Sequence, residues 1–181
     1  VPEMYLLDLW EEYKPEKKAD MIKILNGYLS QCSTENQPTM RAWWWYWDPT
    51  PSSLDILIYM VPSRFDSVAY MYDSTGDFAQ DGSDGQTLIG PGNKPSIAEV
   101  YTRPYTATVM ANLVFHEAMH MKLKKGNSMH ALGGVASATV PTKVGLSKTN
   151  ISAMKSALLK PVTQWSDGIA QVRARQQSGL P

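Results

Sequence analysis

With 181 residues, 43% of them hydrophobic, the chain can bury the core of one domain, and its size excludes two full ones. The charges cancel, but residues 1–100 hold fifteen of the seventeen carboxylates, while 101–181 hold ten basic residues against two acids, Glu117 and Asp167; without interleaved aromatics this basic excess reads as a solvated face and not as a nucleic-acid surface. A lone Cys32 excludes an internal disulfide framework, no apolar run approaches the ~18–20 residues of a membrane span, and Val1-Pro2-Glu3 begins no export signal.

The expectation is therefore a soluble chain with no stable membrane insertion, a processed product or a domain cut from a larger secreted protein. Residues 4–31 read as helical, with Leu6, Leu7, Leu9 and Trp10 as one apolar group and a second group from Met21 to Tyr28 after Pro15 at a helix start. Residues 40–47, Met-Arg-Ala-Trp-Trp-Trp-Tyr-Trp, have strand propensity and stop at Asp48-Pro49. Residues 54–61 and 68–72 read as two further strands, a hairpin or neighbours, so the sheet is expected to be small and antiparallel or mixed.

Residues 73–96 read as a long polar loop with room for one short strand. Its Asp73, Asp77, Asp81 and Asp84 do not follow a calcium-loop order, and solvation accounts for them. A helix over 106–125 follows, with Val109, Met110, Leu113, Val114 and Met121 at helical spacing, basic residues at its end and Gly126 as the expected C-terminal cap. Ser147 or Thr149 can cap a helix through Ile151, Met154 and Leu158, and residues 165–175 read as a last short helix. The fold class expected is α+β in one domain: helices and sheet over 1–100, the central helix at 105–125 and a helical part over 126–181.

All three histidines of the chain lie close together, as His116-Glu117-Ala118-Met119-His120 and then His130. Positions four apart on a helix share a face, so His116 and His120 can reach one zinc ion at about 2.0–2.1 Å. Leaving two imidazoles and a carboxylate on an apolar helix without partners costs about 1–3 kcal/mol per group, which argues for a shared task. A catalytic zinc takes three protein ligands. From His120 to Gly126 a helix climbs about 9 Å, and an extended chain from Gly126 to His130 covers up to about 13–14 Å. A reversal at Gly126 therefore makes His130 the natural third ligand, with Asp167 and then Glu99 as the other candidates. In that arrangement zinc lowers the pKa of its bound water towards ~7 and Glu117 acts as the catalytic base. Tyr101, Arg103 and Tyr105, just before the helix, are candidate oxyanion donors.

The H-E-x-x-H residues make the chain resemble the zincin metallopeptidases. The order of Gly126 and His130 after the pair is similar to that of metzincins with a longer spacing. The resemblance implies a small sheet packed on the motif helix, a zinc cofactor, hydrolysis of a protein or peptide substrate, and an edge strand that aligns this substrate. Residues 54–61 or 68–72 are candidates for that strand, and Met154 for the metzincin methionine turn. Zincin domains also occur at the toxic ends of secreted bacterial effectors. The competing expectation is a non-catalytic, zinc-stabilised binding module in which the strand Trp43–Trp47 offers an aromatic platform. Strand alternation splits those rings into Trp43, Trp45 and Trp47 on one face, with Trp44 and Tyr46 on the other.

Overall fold

The computed structural model describes residues 1–46, 50–73, 82–165 and 167–178. Five strands form one sheet in the order β2-β1-β3-β5-β4: β1 (Glu3–Leu7), β2 (Arg41–Trp45), β3 (Ile56–Val61), β4 (Gly85–Leu88) and β5 (Ile97–Tyr101). Strands β2, β1, β3 and β5 run parallel, and β4 alone pairs antiparallel, with Thr87 opposite Ala98 and Gly85 opposite Val100. The mixed α+β class agrees with the sequence, and the sheet is mostly parallel. Trp47, Asp48, Pro49 and residues 74–81, with Asp77 and Asp81 of the expected polar loop, lie outside the described residues.

The helices are α1 (Pro15–Gln31), α2 (Val68–Tyr72), α3 (Ala107–Leu123), α4 (Lys148–Ala157) and α5 (Gly168–Ser178). Strand pleating sends alternate side chains into two apolar cores. Met4, Leu6, Ile58, Ala98 and Val100 meet α1, α3 and α4 on one face. Leu7, Tyr59, Ile97 and Tyr101 meet α2 and α5 on the other. Each fully buried Leu, Ile or Met contributes about 1.5–3 kcal/mol to this packing. No helix among the described residues is long and apolar enough to cross a membrane.

Three expectations are corrected. Residues 3–7 form β1, not the start of a helix: the strand lies between β2 and β3 with Met4, Leu6 and Leu7 buried and Tyr5 half-buried, and periodicity does not separate so short an apolar run from a helix. Residues 68–72 form α2, not a strand, because the Ser67 hydroxyl accepts from the Tyr70 amide at 3.2 Å and the Glu99 carboxylate accepts from the Val68 and Ala69 amides at 2.7 and 3.4 Å. These caps override the β-propensity of Val-Ala-Tyr-Met-Tyr. Residues 54–61, offered as an edge strand, instead contribute β3 (Ile56–Val61) at the centre of the sheet, and the edges are β2 and β4.

Edge strand β2 is closed by α1. The Asn26 amide oxygen accepts from the Ala42 N–H at 2.8 Å and its nitrogen donates to the Ala42 carbonyl at 3.5 Å. The rings of β2 diverge: Trp44 packs towards α1 and donates to the Lys18 carbonyl at 3.0 Å, Trp45 joins the opposite core edge-on to Tyr5, and Trp43 is exposed.

Candidate metal centre

Helix α3 begins where the Thr106 hydroxyl accepts from the Val109 amide at 3.2 Å, and every residue from Met110 to Lys122 is buried. An apolar surface all round suits a helix enclosed between the sheet and other helices. The helix ends earlier than its sequence suggests. Lys124, at φ 51°, takes the left-handed turn expected of Gly126, whose own φ is −80°. Beyond this reversal the Lys125 carbonyl meets His120, and the 3₁₀ turn Asn127–Leu132 returns His130 to the helix.

His116, His120 and His130 come together, with one ring nitrogen from each lying within 4.8 Å of the others. The His120 Nε2 lies 3.1 Å from His116 Nε2 and 3.3 Å from His130 Nε2. His116 Nδ1 is 2.7 Å from the Val135 carbonyl oxygen and His120 Nδ1 is 2.7 Å from that of Lys125. A carbonyl only accepts, so both Nδ1 atoms carry the proton and both Nε2 atoms present lone pairs. Lone pairs pointing at one another repel unless a cation lies between them. Two nitrogens on a tetrahedral zinc are about 3.3–3.4 Å apart, given bonds of about 2.0–2.1 Å, so the donor set fits that ion. Burial, with the neighbouring imidazoles, holds His116 down to about 4 against the pull of the Val135 carbonyl. Burial also lowers His120, so both rings stay neutral, as metal ligands must be.

The ligand supports come from distant segments. Asn150, in the first turn of α4 and capped by Ser147, accepts from the Val135 N–H at 3.0 Å and donates to the Gly133 carbonyl at 3.0 Å, which fixes the loop holding His116. Gly134 is required between them: its φ is +56°, and a Cβ there would lie 2.4 Å from Asn150 Oδ1. One turn before His116, Asn112 accepts from the Tyr28 hydroxyl at 2.7 Å and donates to the Pro141 and Lys143 carbonyls at 2.8 and 3.1 Å. One turn beyond Ala118, the buried Lys122 donates to the Leu54 and Lys160 carbonyls, both at 2.9 Å, and burial pushes its amine down to about 8.

Glu117 is 4% exposed and faces β4, where Thr87 Oγ1 lies 2.6 Å from its Oε2. Burial pushes this carboxyl up to about 8; the Thr87 hydrogen bond opposes that shift, and the charge of Glu99 adds to it.

The other candidate ligands lie elsewhere. Glu99 sits in β5, where pleating turns it to the face opposite α3, and it accepts from Ser67, Gln86 and Tyr101 side chains at 2.5, 2.6 and 3.0 Å. Asp167 is exposed before α5, its carbonyl accepting from the Gln171 amide at 3.1 Å. Neither belongs to the ligand group found among the described residues. The oxyanion candidates are also engaged: Tyr101 with Glu99, and Tyr105 and Arg103 with Asp84 at 3.1 and 3.3 Å. Met154 lies within helix α4 in the core, not in a turn. Thr87, Asn150 and the Val135 carbonyl escape a reading of the sequence, since only the small-residue pair Gly133-Gly134 hints at a tight loop there.

Comparisons with protein-family models, curated proteins and solved structures find no match to this chain.

Proposed function

We propose that this protein is a zinc-dependent metallopeptidase of zincin type, with His116, His120 and His130 as the metal ligands and Glu117 as the catalytic base. One observation carries the reading: three imidazole Nε2 atoms converge at the helix that also bears the buried Glu117, with the two helix histidines oriented by backbone carbonyls. When bound, zinc supplies Lewis acidity, which lowers the pKa of water towards ~7 and polarises a peptide carbonyl. Glu117 takes the proton of the attacking water and passes it to the leaving amine. Enclosure of the helix excludes bulk solvent and strengthens every charge interaction around the site. Strand β4 borders Glu117 at the edge of the sheet, and it is the strand on which a peptide can align by backbone pairing.

Metal analysis and hydrolysis of an unfolded protein substrate test this. The parent is expected to hold equimolar zinc and cleave, and His130→Ala to lose most of the metal. Glu117→Gln is expected to keep zinc and lose about 100-fold or more of the rate. A Glu117→Gln protein that cleaves as fast as the parent, or a parent that binds no zinc, would sink the proposal.

A further inference from the structure

Gly85 and Thr87 pair with Val100 and Ala98, which face α3, so strand alternation sends both towards the motif helix, while Gln86 and Leu88 go to the opposite core. This short stretch of β4 makes a fitted seat for the Glu117 side chain. Thr87 Oγ1 lies 2.6 Å from Glu117 Oε2 and 3.2 Å from the Glu117 carbonyl oxygen. With the carboxyl ionised, its single proton goes to Oε2, the nearer acceptor, and the carbonyl is a second acceptor within the same rotation. Gly85 supplies the space: a Cβ there would stand 3.1 Å from Glu117 Oε1 and 2.7 Å from the Glu99 carbonyl oxygen. Among the described residues no hydrogen bond engages Oε1, so the two oxygens are unequal.

We propose that Thr87 is the positioning residue of the base: it pins Oε2 and leaves Oε1 free to take the proton that Glu117 accepts. The inference rests on the metallopeptidase reading above and adds a residue whose side chain acts through Glu117 and not on the metal. It follows from the scarcity of donors. A buried carboxylate with several hydrogen-bond partners is held rigidly but has no acceptor to spare, whereas one with a single side-chain donor is oriented and still able to take a proton. A hydroxyl donor also remains a partner after that proton arrives on Oε1, because Oε2 is then the carbonyl oxygen of the acid and still accepts from Thr87. Valine has the shape of threonine without this hydroxyl, and serine has the hydroxyl without the methyl.

The test compares Thr87→Val and Thr87→Ser with the parent and with Glu117→Gln by zinc content, thermal unfolding and steady-state kinetics. Thr87→Val is expected to hold zinc as the parent does and unfold within a few degrees of it, while kcat falls about tenfold and KM stays within about twofold. Thr87→Ser is expected to recover most of kcat, and a crystal structure of metal-free Thr87→Val to show the Glu117 carboxylate turned away from β4. A Thr87→Val protein with the parent's kcat overturns the inference, as does a Thr87→Ser protein equally impaired. Loss of zinc in Thr87→Val overturns it too, by making Thr87 a support of the metal site. In each of these cases inactive Glu117→Gln leaves the peptidase reading standing. An active Glu117→Gln removes both.

Discussion

Glu99 and Glu117 are buried glutamates on opposite faces of one sheet, both beside β4, and they differ in company. Glu99 accepts from five donors: the Ser67 and Tyr101 hydroxyls, the Gln86 amide and the backbone amides of Val68 and Ala69. Among the described residues the Glu117 carboxylate accepts from one, Thr87. The first joins β4, β5 and α2 and has no capacity left for chemistry. The second is deprived of water and only partly compensated, which is the condition of a group that exchanges protons.

Swapping each carboxylate for its amide should separate the two roles most sharply. On the metallopeptidase reading Glu117→Gln should remove catalysis at little cost in folding, whereas Glu99→Gln turns an amide nitrogen on a ring of donors and should destabilise by about 2–4 kcal/mol in chemical denaturation, the folded fraction still binding zinc. Equal stability losses would erase the distinction.

A pH series on metal-free protein probes the same contrast more gently. The Glu117 carboxyl stands at about 8 in the folded protein against an ordinary 4.5, so the unfolded chain gives up its proton first. Stability from this group is complete below 4.5 and lost as pH rises towards 8. The stability of the parent relative to Glu117→Gln should decline across that window, and a constant difference would show that burial does not control the group.

The smallest effect concerns neighbours on β4. Gln86→Met removes one donor from Glu99 and should cost about 1 kcal/mol with kcat unchanged, the reverse of the pattern expected for Thr87 one residue along. A fall in kcat from Gln86→Met would mean that the two faces of the strand are coupled.

What was legible in the sequence follows from the range of the interactions involved. The H-E-x-x-H helix is a local object: spacing places His116 and His120 on one face, and the reach of ten residues places His130. The turn itself was displaced, since Lys124 adopts the left-handed conformation that glycine favours. The supporting groups were illegible because they act between segments: Thr87 meets Glu117 thirty residues on, and Asn150 meets Val135 from another helix. β1 was hidden because its apolar run, residues 4–7, is too short for periodicity to separate a strand from a helix. In β5, residues 97–101, the interior Glu99 breaks an otherwise apolar run. Its donors, which are what let it be buried, come from β4, from Ser67 and the first residues of α2, and from β5 itself.

The Asn26 contact with Ala42 makes the two margins of the sheet chemically unequal. A side-chain amide reproduces there the donor and acceptor of an incoming strand, so the place that a sixth strand would occupy beside β2 is already filled by α1. On the metallopeptidase reading, an extended peptide that adds to the sheet is thereby directed away from the tryptophan-rich margin to that of β4, the strand that holds Glu117.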